Sequence, residues 1–151
     1  MQEKSKDSKK EVLKIMKLSK EAELPEYAMN CDVGFDFRAS ESVILGPFEQ
    51  KEVKTGVAVE IPEGYIGLVR DRAGIVTEMA VHVVAGTFSP SCRGEVTIMM
   101  INFGKDQVKI EKGMRIAQMI IVPVKKVEIK EVKSLSKTER SGKNFYSTGI
   151  K

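Results

Sequence analysis

Four short segments of this 151-residue chain place an arginine within two residues of a glycine: Arg72-Ala73-Gly74, Cys92-Arg93-Gly94, Gly113-Met114-Arg115 and Arg140-Ser141-Gly142. A glycine lets backbone approach an anion closely, exposed N–H groups can form a concave nest, and a guanidinium offers a planar fork to phosphate oxygens. Hydroxyl and amide groups accompany them, in Ser89-Pro90-Ser91 before Arg93, in Gln118 after Arg115, and in Ser147-Thr148-Gly149 after Arg140. Together these residue types suit a polyphosphate. Near the C-terminus, Phe145 and Tyr146 directly precede Ser147-Thr148-Gly149, so one stretch could stack on a ring and hold an anion. Each segment taken singly also reads as a turn between strands whose arginine pairs with a nearby glutamate. Spacing alone yields no paired carboxylates, metal-ligand cluster or Ser-His-Asp arrangement.

Short β-rich stretches must position these segments. They cover residues 12–18, 33–39, 41–45, 50–60, 65–69, 81–85, 95–102, 107–110 and 114–127, separated by Gly46-Pro47, Pro62-Glu63-Gly64, Ser89-Pro90-Ser91 and Gly104-Lys105-Asp106. Strands at intervals of about ten residues with little helical periodicity predict an all-β antiparallel barrel or sandwich. One short helix is expected over residues 73–79. Residues 1–10 carry four lysines without apolar periodicity and read as a disordered lead-in, residues 11–133 as the barrel domain, and residues 134–151 as a flexible C-terminal arm.

The lone His82 lies in the apolar run Met79-Ala80-Val81-His82-Val83-Val84 and reads as a strand residue with one satisfied nitrogen rather than a catalytic imidazole. Cys31 and Cys92 lack neighbouring ligands at metal spacing and are expected as free thiols. A formal net charge of +4 spread through interleaved Lys and Glu describes a solvated surface rather than a nucleic-acid footprint. The polar N-terminus and the lack of a long apolar run predict a soluble, cytoplasmic protein without a membrane partner.

Read in order, the segments resemble the five motifs of the trimeric deoxyuridine triphosphatase (dUTPase) family. Asp32-Val33-Gly34-Phe35-Asp36-Phe37, preceded by Ala22-Glu23-Leu24-Pro25, is similar to the first. Ile61-Pro62-Glu63-Gly64-Tyr65-Ile66-Gly67 followed by Arg72-Ala73-Gly74 is similar to the second, and Gly86-Thr87-Phe88-Ser89-Pro90-Ser91-Cys92-Arg93-Gly94-Glu95 to the third. Gly113 to Gln118 resembles the fourth and Arg140 to Gly149 the fifth. The resemblance implies a β-clip or distorted jelly-roll-like barrel, assembled as a homotrimer with active sites at subunit boundaries. It implies Mg2+ carried mainly by a deoxyuridine triphosphate and water, with Asp36 in the outer shell of the metal. Arg72 and Gln118 would face the phosphates, with Ala73 and Gly74 beside them. Gly86, Thr87, Phe88 and Cys92 would lie on the hairpin that holds the nucleoside. Arg140, Ser147 and Thr148 would hold the distal phosphates, and Phe145 would stack on the uracil. The implied reaction is attack of water on the α-phosphorus, releasing dUMP and pyrophosphate.

Four positions depart from the family pattern. Ser89 stands where the family has the aspartate that activates water, which implies an impaired hydrolase, because loss of a positioned base typically costs about 10² to 10⁴ in rate. Cys92 stands in place of a tyrosine, Ala73 of a serine and Tyr146 of a glycine. The alternative is a catalytically inactive nucleotide-binding, structural or regulatory member of the same family. A dCTP deaminase shares the barrel and the Ala85-Gly86-Thr87 approach, but its proton-transfer glutamate would fall at Met99.

Overall fold

The computed structural model describes residues 11–138. In chain order the elements are β1 (Lys14–Lys17), β2 (Gly34–Arg38), β3 (Val43–Leu45), β4 (Gln50–Glu60), β5 (Tyr65–Asp71), α1 (Ala73–Met79), β6 (Val81–Val83), β7 (Thr87–Phe88), β8 (Glu95–Asn102), β9 (Val108–Ile110) and β10 (Arg115–Pro123). They form two four-stranded sheets, ordered β1-β4-β8-β6 and β2-β10-β5-β7, and a two-stranded ribbon, β3-β9. Every ladder is antiparallel. The expected all-β architecture with one short helix is therefore present. The expected lead-in at residues 1–10, and Arg140, Phe145, Tyr146, Ser147 and Thr148 of the expected arm, lie outside the described residues.

Strict alternation makes β8 a dividing wall. Val96, Ile98, Met100 and Asn102 point inward, while Glu95, Thr97, Met99 and Ile101 remain partly accessible. Val96, Ile98 and Met100 join Phe35 and Phe37 of β2, Val53 and Val57 of β4, and Ile116 and Met119 of β10 in one continuous core. Strand β2 is buried from Gly34 to Phe37, so that stretch reads as an apolar run interrupted by Asp36 and ended by Arg38.

Three differences from the sequence reading have local causes. The last strand stops at Pro123 instead of residue 127, since proline offers no N–H to a ladder and Lys125 and Lys126 follow it. The stretch expected over 81–85 ends at Val83, and Ala85 then takes a left-handed φ of 58°. That turn leads into β7, a two-residue strand too short to announce itself by alternation. Gly86 follows the turn because a Cβ there would sit 2.4 Å from the Val69 carbonyl oxygen. The close approach lets the Val69 N–H donate to the Gly86 carbonyl at 2.7 Å.

Strand β4 bulges against β8 between Lys54 and Ala58. Gly56 adopts φ 72° there, its N–H donates to Glu95 Oε1 at 2.8 Å, and Thr55 Oγ1 donates to the Val96 carbonyl at 2.6 Å. At the other end of β8, the fully buried Asn102 ties the β3–β4 and β8–β9 turns together. Its Nδ2 group lies 3.2, 3.1 and 2.8 Å from the carbonyl oxygens of Leu45, Gly46 and Asp106, and its Oδ1 accepts the Gly104 N–H at 2.8 Å. Asn102→Ala removes these hydrogen bonds and is expected to cost about 2–4 kcal/mol, read as a lowered urea midpoint. An unchanged midpoint would remove this network from the account of stability.

Candidate active site

The register of three strands builds the first part of the site. Strand β10 pairs Gln118 with Asp36 of β2 on one side and with Arg70 of β5 on the other, so the Gln118 amide stands beside the Asp36 carboxylate at the end of the sheet. Arg72 enters from the adjoining turn, in extended conformation (φ −96°, ψ 129°), immediately before α1. Its Nε–H donates to Asp36 Oδ1 at 2.9 Å, and its Nη1–H donates to the Arg115 carbonyl at 3.3 Å. Arg115 Nη1–H donates to the second oxygen of Asp36 at 3.4 Å. Asp36 is only 7% exposed, and burying a carboxylate without opposite charge beside it is costly.

Asp36, Arg72 and Gln118 line a cleft of about 340 Å³ with Ala73, Gly74, Gly34 at the start of β2 and Asp32 in the loop before it. The strand β2 backbone comes close because position 34 has no side chain: a Cβ there would lie 2.5 Å from Gln118 Oε1. Gln118 Nε2–H meanwhile donates to the Asp71 carbonyl at 2.9 Å. Arg72 directs two of its N–H groups at the protein, and a guanidinium carries five, so donors remain for an anion. Asp32, in the segment similar to the first motif, stabilises the loop at the cleft edge, its Oδ2 accepting the Met29 N–H at 2.8 Å.

Ser89 lies elsewhere on the chain. With Pro90, Ser91 and Arg93 it borders a larger cleft of about 910 Å³, completed by residues 60–66 and 124–126. No residue lines both clefts. Ser89 is exposed, and its carbonyl accepts the Cys92 N–H at 3.0 Å, closing the turn. Cys92 is an exposed free thiol, as is Cys31. Gly86, Thr87 and Phe88 lead into that turn, with Thr87 opposite Leu68 and Phe88 opposite Gly67 of β5. At the cleft wall, Lys14 holds the Glu60 carboxyl below its ordinary range by hydrogen bond and charge, with a smaller effect from Arg93. Thus Asp36, Arg72, Ala73, Gly74 and Gln118 converge in one cleft, and Ser89 borders another.

The arginines of the glycine-bearing segments differ in their partners. Arg72 and Arg115 face a carboxylate they share, whereas Arg93 donates to the Pro90 and Cys92 carbonyls within its own turn and lies 3.8 Å from the Glu60 carboxylate. His82 sits on β6 with Nδ1 3.0 Å from Asp71 Oδ2, so one nitrogen is paired as its sequence setting suggested. Among the described residues, no helix is long and apolar enough to cross a membrane.

Comparison with known proteins bears on the whole domain. The dUTPase family model matches residues 20–149. The deoxyuridine 5'-triphosphate nucleotidohydrolase of Hydrogenobaculum sp. (strain Y04AAS1) is 45% identical over 142 residues, covering 92% of this chain and 99% of that protein. The protein of the same name from Clostridium tetani is 41% identical over 139 residues, covering 91% and 96%. Among solved structures, the dUTPase of Staphylococcus bacteriophage 80alpha with dUpNHpp superposes with a TM-score of 0.87 at 32% identity, covering 93% of this chain and 100% of that one. A mutant dUTPase from phage phi11 of S. aureus, whose structure describes coordination of a structural Mg(II) ion, gives a TM-score of 0.79 at 28% identity, covering 84% and 100%. The chain belongs to the dUTPase family.

Proposed function

We propose that this protein is a dUTP diphosphatase that converts dUTP and water into dUMP and pyrophosphate, with reduced turnover because Ser89 replaces a carboxylate base. The observation that carries the reading is the cleft of Asp36, Arg72 and Gln118 in a chain of this family. Water oxygen would bond to the α-phosphorus as the bond from that phosphorus to the bridging oxygen breaks, and pyrophosphate would leave. Arg72 and the Gln118 amide would meet charge on the phosphoryl oxygens. Arg140, Ser147 and Thr148 are proposed to hold the distal phosphates and Phe145 to cover the uracil.

Magnesium fits as an ion held by the triphosphate and water. Asp36 spends both oxygens on guanidinium donors, and no group of three His, Cys, Asp or Glu among the described residues could hold a metal ion. The carboxylate therefore suits an outer-shell role, accepting from coordinated water. When bound, magnesium would supply positive charge that stabilises the phosphoryl transfer.

The separation of Ser89 from the Asp36 cleft on one protomer supports a homotrimer with shared sites, in which a neighbour brings its hairpin to the cleft. Val127, Ile129, Val132 and Leu135 stand exposed along the stretch after β10, apolar surface that a neighbour would cover. Deamination is disfavoured, since Met99 supplies no acid or base and Glu95 Oε1 is taken by the Gly56 N–H. A second reading, binding without turnover, is favoured by Ser89 itself, because a serine hydroxyl does not deprotonate water near neutral pH.

Pyrophosphate release from dUTP with magnesium, compared with other deoxynucleoside triphosphates, tests the activity. Uracil-selective release is expected, and Ser89→Asp should raise its rate by at least about tenfold. Release at an ordinary enzymatic rate that Ser89→Asp leaves unchanged would remove the impairment; no release from either form would leave the binding reading. Gly34→Ala should push the Gln118 amide out of place and weaken dUpNHpp binding by about tenfold. Its stability should change by no more than about 1 kcal/mol, because the side chain met is flexible; equal dUpNHpp affinity would separate Gln118 from the phosphates.

A further inference from the structure

Asp71 closes β5 one residue before Arg72, and the proposed hydrolysis makes no use of its side chain. Strands β5 and β6 belong to different sheets and share no ladder. The Asp71 carboxylate joins them: Oδ1 accepts the Val83 N–H at 2.6 Å, and Oδ2 meets His82 Nδ1 at 3.0 Å. The His82 ring is held in turn by edge-on packing against Phe103, with centroids 5.4 Å apart. On its backbone side, the same residue offers its carbonyl to Gln118 Nε2–H at 2.9 Å. One residue is thus gripped by β6 through its carboxylate and by β10 through its carbonyl.

We propose that Asp71 is a positioning residue for both Arg72 and Gln118, an inference that rests on the dUTP-hydrolysis reading of their cleft. Arg72 follows it directly in the chain, and the Gln118 amide takes its orientation from the Asp71 carbonyl. A shift of Asp71 therefore moves a cation and an amide together, where positional errors of about 1 Å can cost about 10²-fold in rate. The Val83 N–H needs only an acceptor at Oδ1, which an asparagine carbonyl also supplies. Asparagine is therefore the conservative replacement, and alanine removes the link.

The experiment measures dUpNHpp and deoxyuridine binding by calorimetry on the full chain, for the unmodified protein, Asp71→Ala and Asp71→Asn, with thermal melts alongside. Asp71→Ala should weaken dUpNHpp by about tenfold and change deoxyuridine by less than about threefold, since only dUpNHpp carries the phosphates that Arg72 and Gln118 face. Asp71→Asn should recover most of the dUpNHpp affinity. Equal dUpNHpp affinity in Asp71→Ala, or parallel loss of deoxyuridine affinity, would overturn the positioning role. If the alanine variant does not fold, Asp71→Glu, one methylene longer, should show the same selective loss, and undiminished dUpNHpp binding there would overturn the proposal. Failure of the unmodified protein to bind dUpNHpp would instead count against the hydrolase reading.

Discussion

Asp36 puts a carboxylate on a strand whose neighbours are buried apolar side chains, and the surrounding arrangement follows from the need to keep that charge paired. Burying a carboxylate without a partner is costly, and removing one partner of a buried pair typically costs about 3–5 kcal/mol. Arg72 and Arg115 supply the two donors, and they can do so only if β2, β10 and the end of β5 adopt their observed registers. The same registers bring Gln118 beside Asp36. A constraint of stability and a constraint of function are therefore met by one set of pairings.

Close backbone approach makes room for the cleft. Gly34 leaves space for the Gln118 amide, and Gly86 lets the segment before β7 lie against Val69. These glycines stand at crossings where the obstruction would be a side chain in one case and a carbonyl in the other, so their tolerances differ. At position 34 a flexible amide would have to yield. At position 86 the obstacle is backbone, and the strand pair itself would have to separate.

Much of the fold was legible because alternation and turn residues mark it directly. The bounds of β4, β8 and α1 coincide with the expected ranges. The shorter β10 and the unexpected β7 lie where a proline, a left-handed alanine and a two-residue ladder decide the outcome. Hydropathy cannot register such features. The candidate site was legible in its residue types, since Asp36, Arg72 and Gln118 were singled out by motif and do meet in one cleft. The contribution of Asp71 was not, because an aspartate next to an arginine carries no sign of which strand its carboxylate will reach.

The sequence by itself determined the all-β class, the order of the elements and the family, because these reside in local patterning and in the sequence of motifs along the chain. Only the tertiary structure decided that Asp36 is clasped by two arginines from different elements, that Gln118 hangs on the Asp71 carbonyl, and that Ser89 borders a separate cleft. The physical reason is that strand register and sheet packing set distances between residues 36 to 82 positions apart. No local feature of the chain encodes those distances until the core has formed.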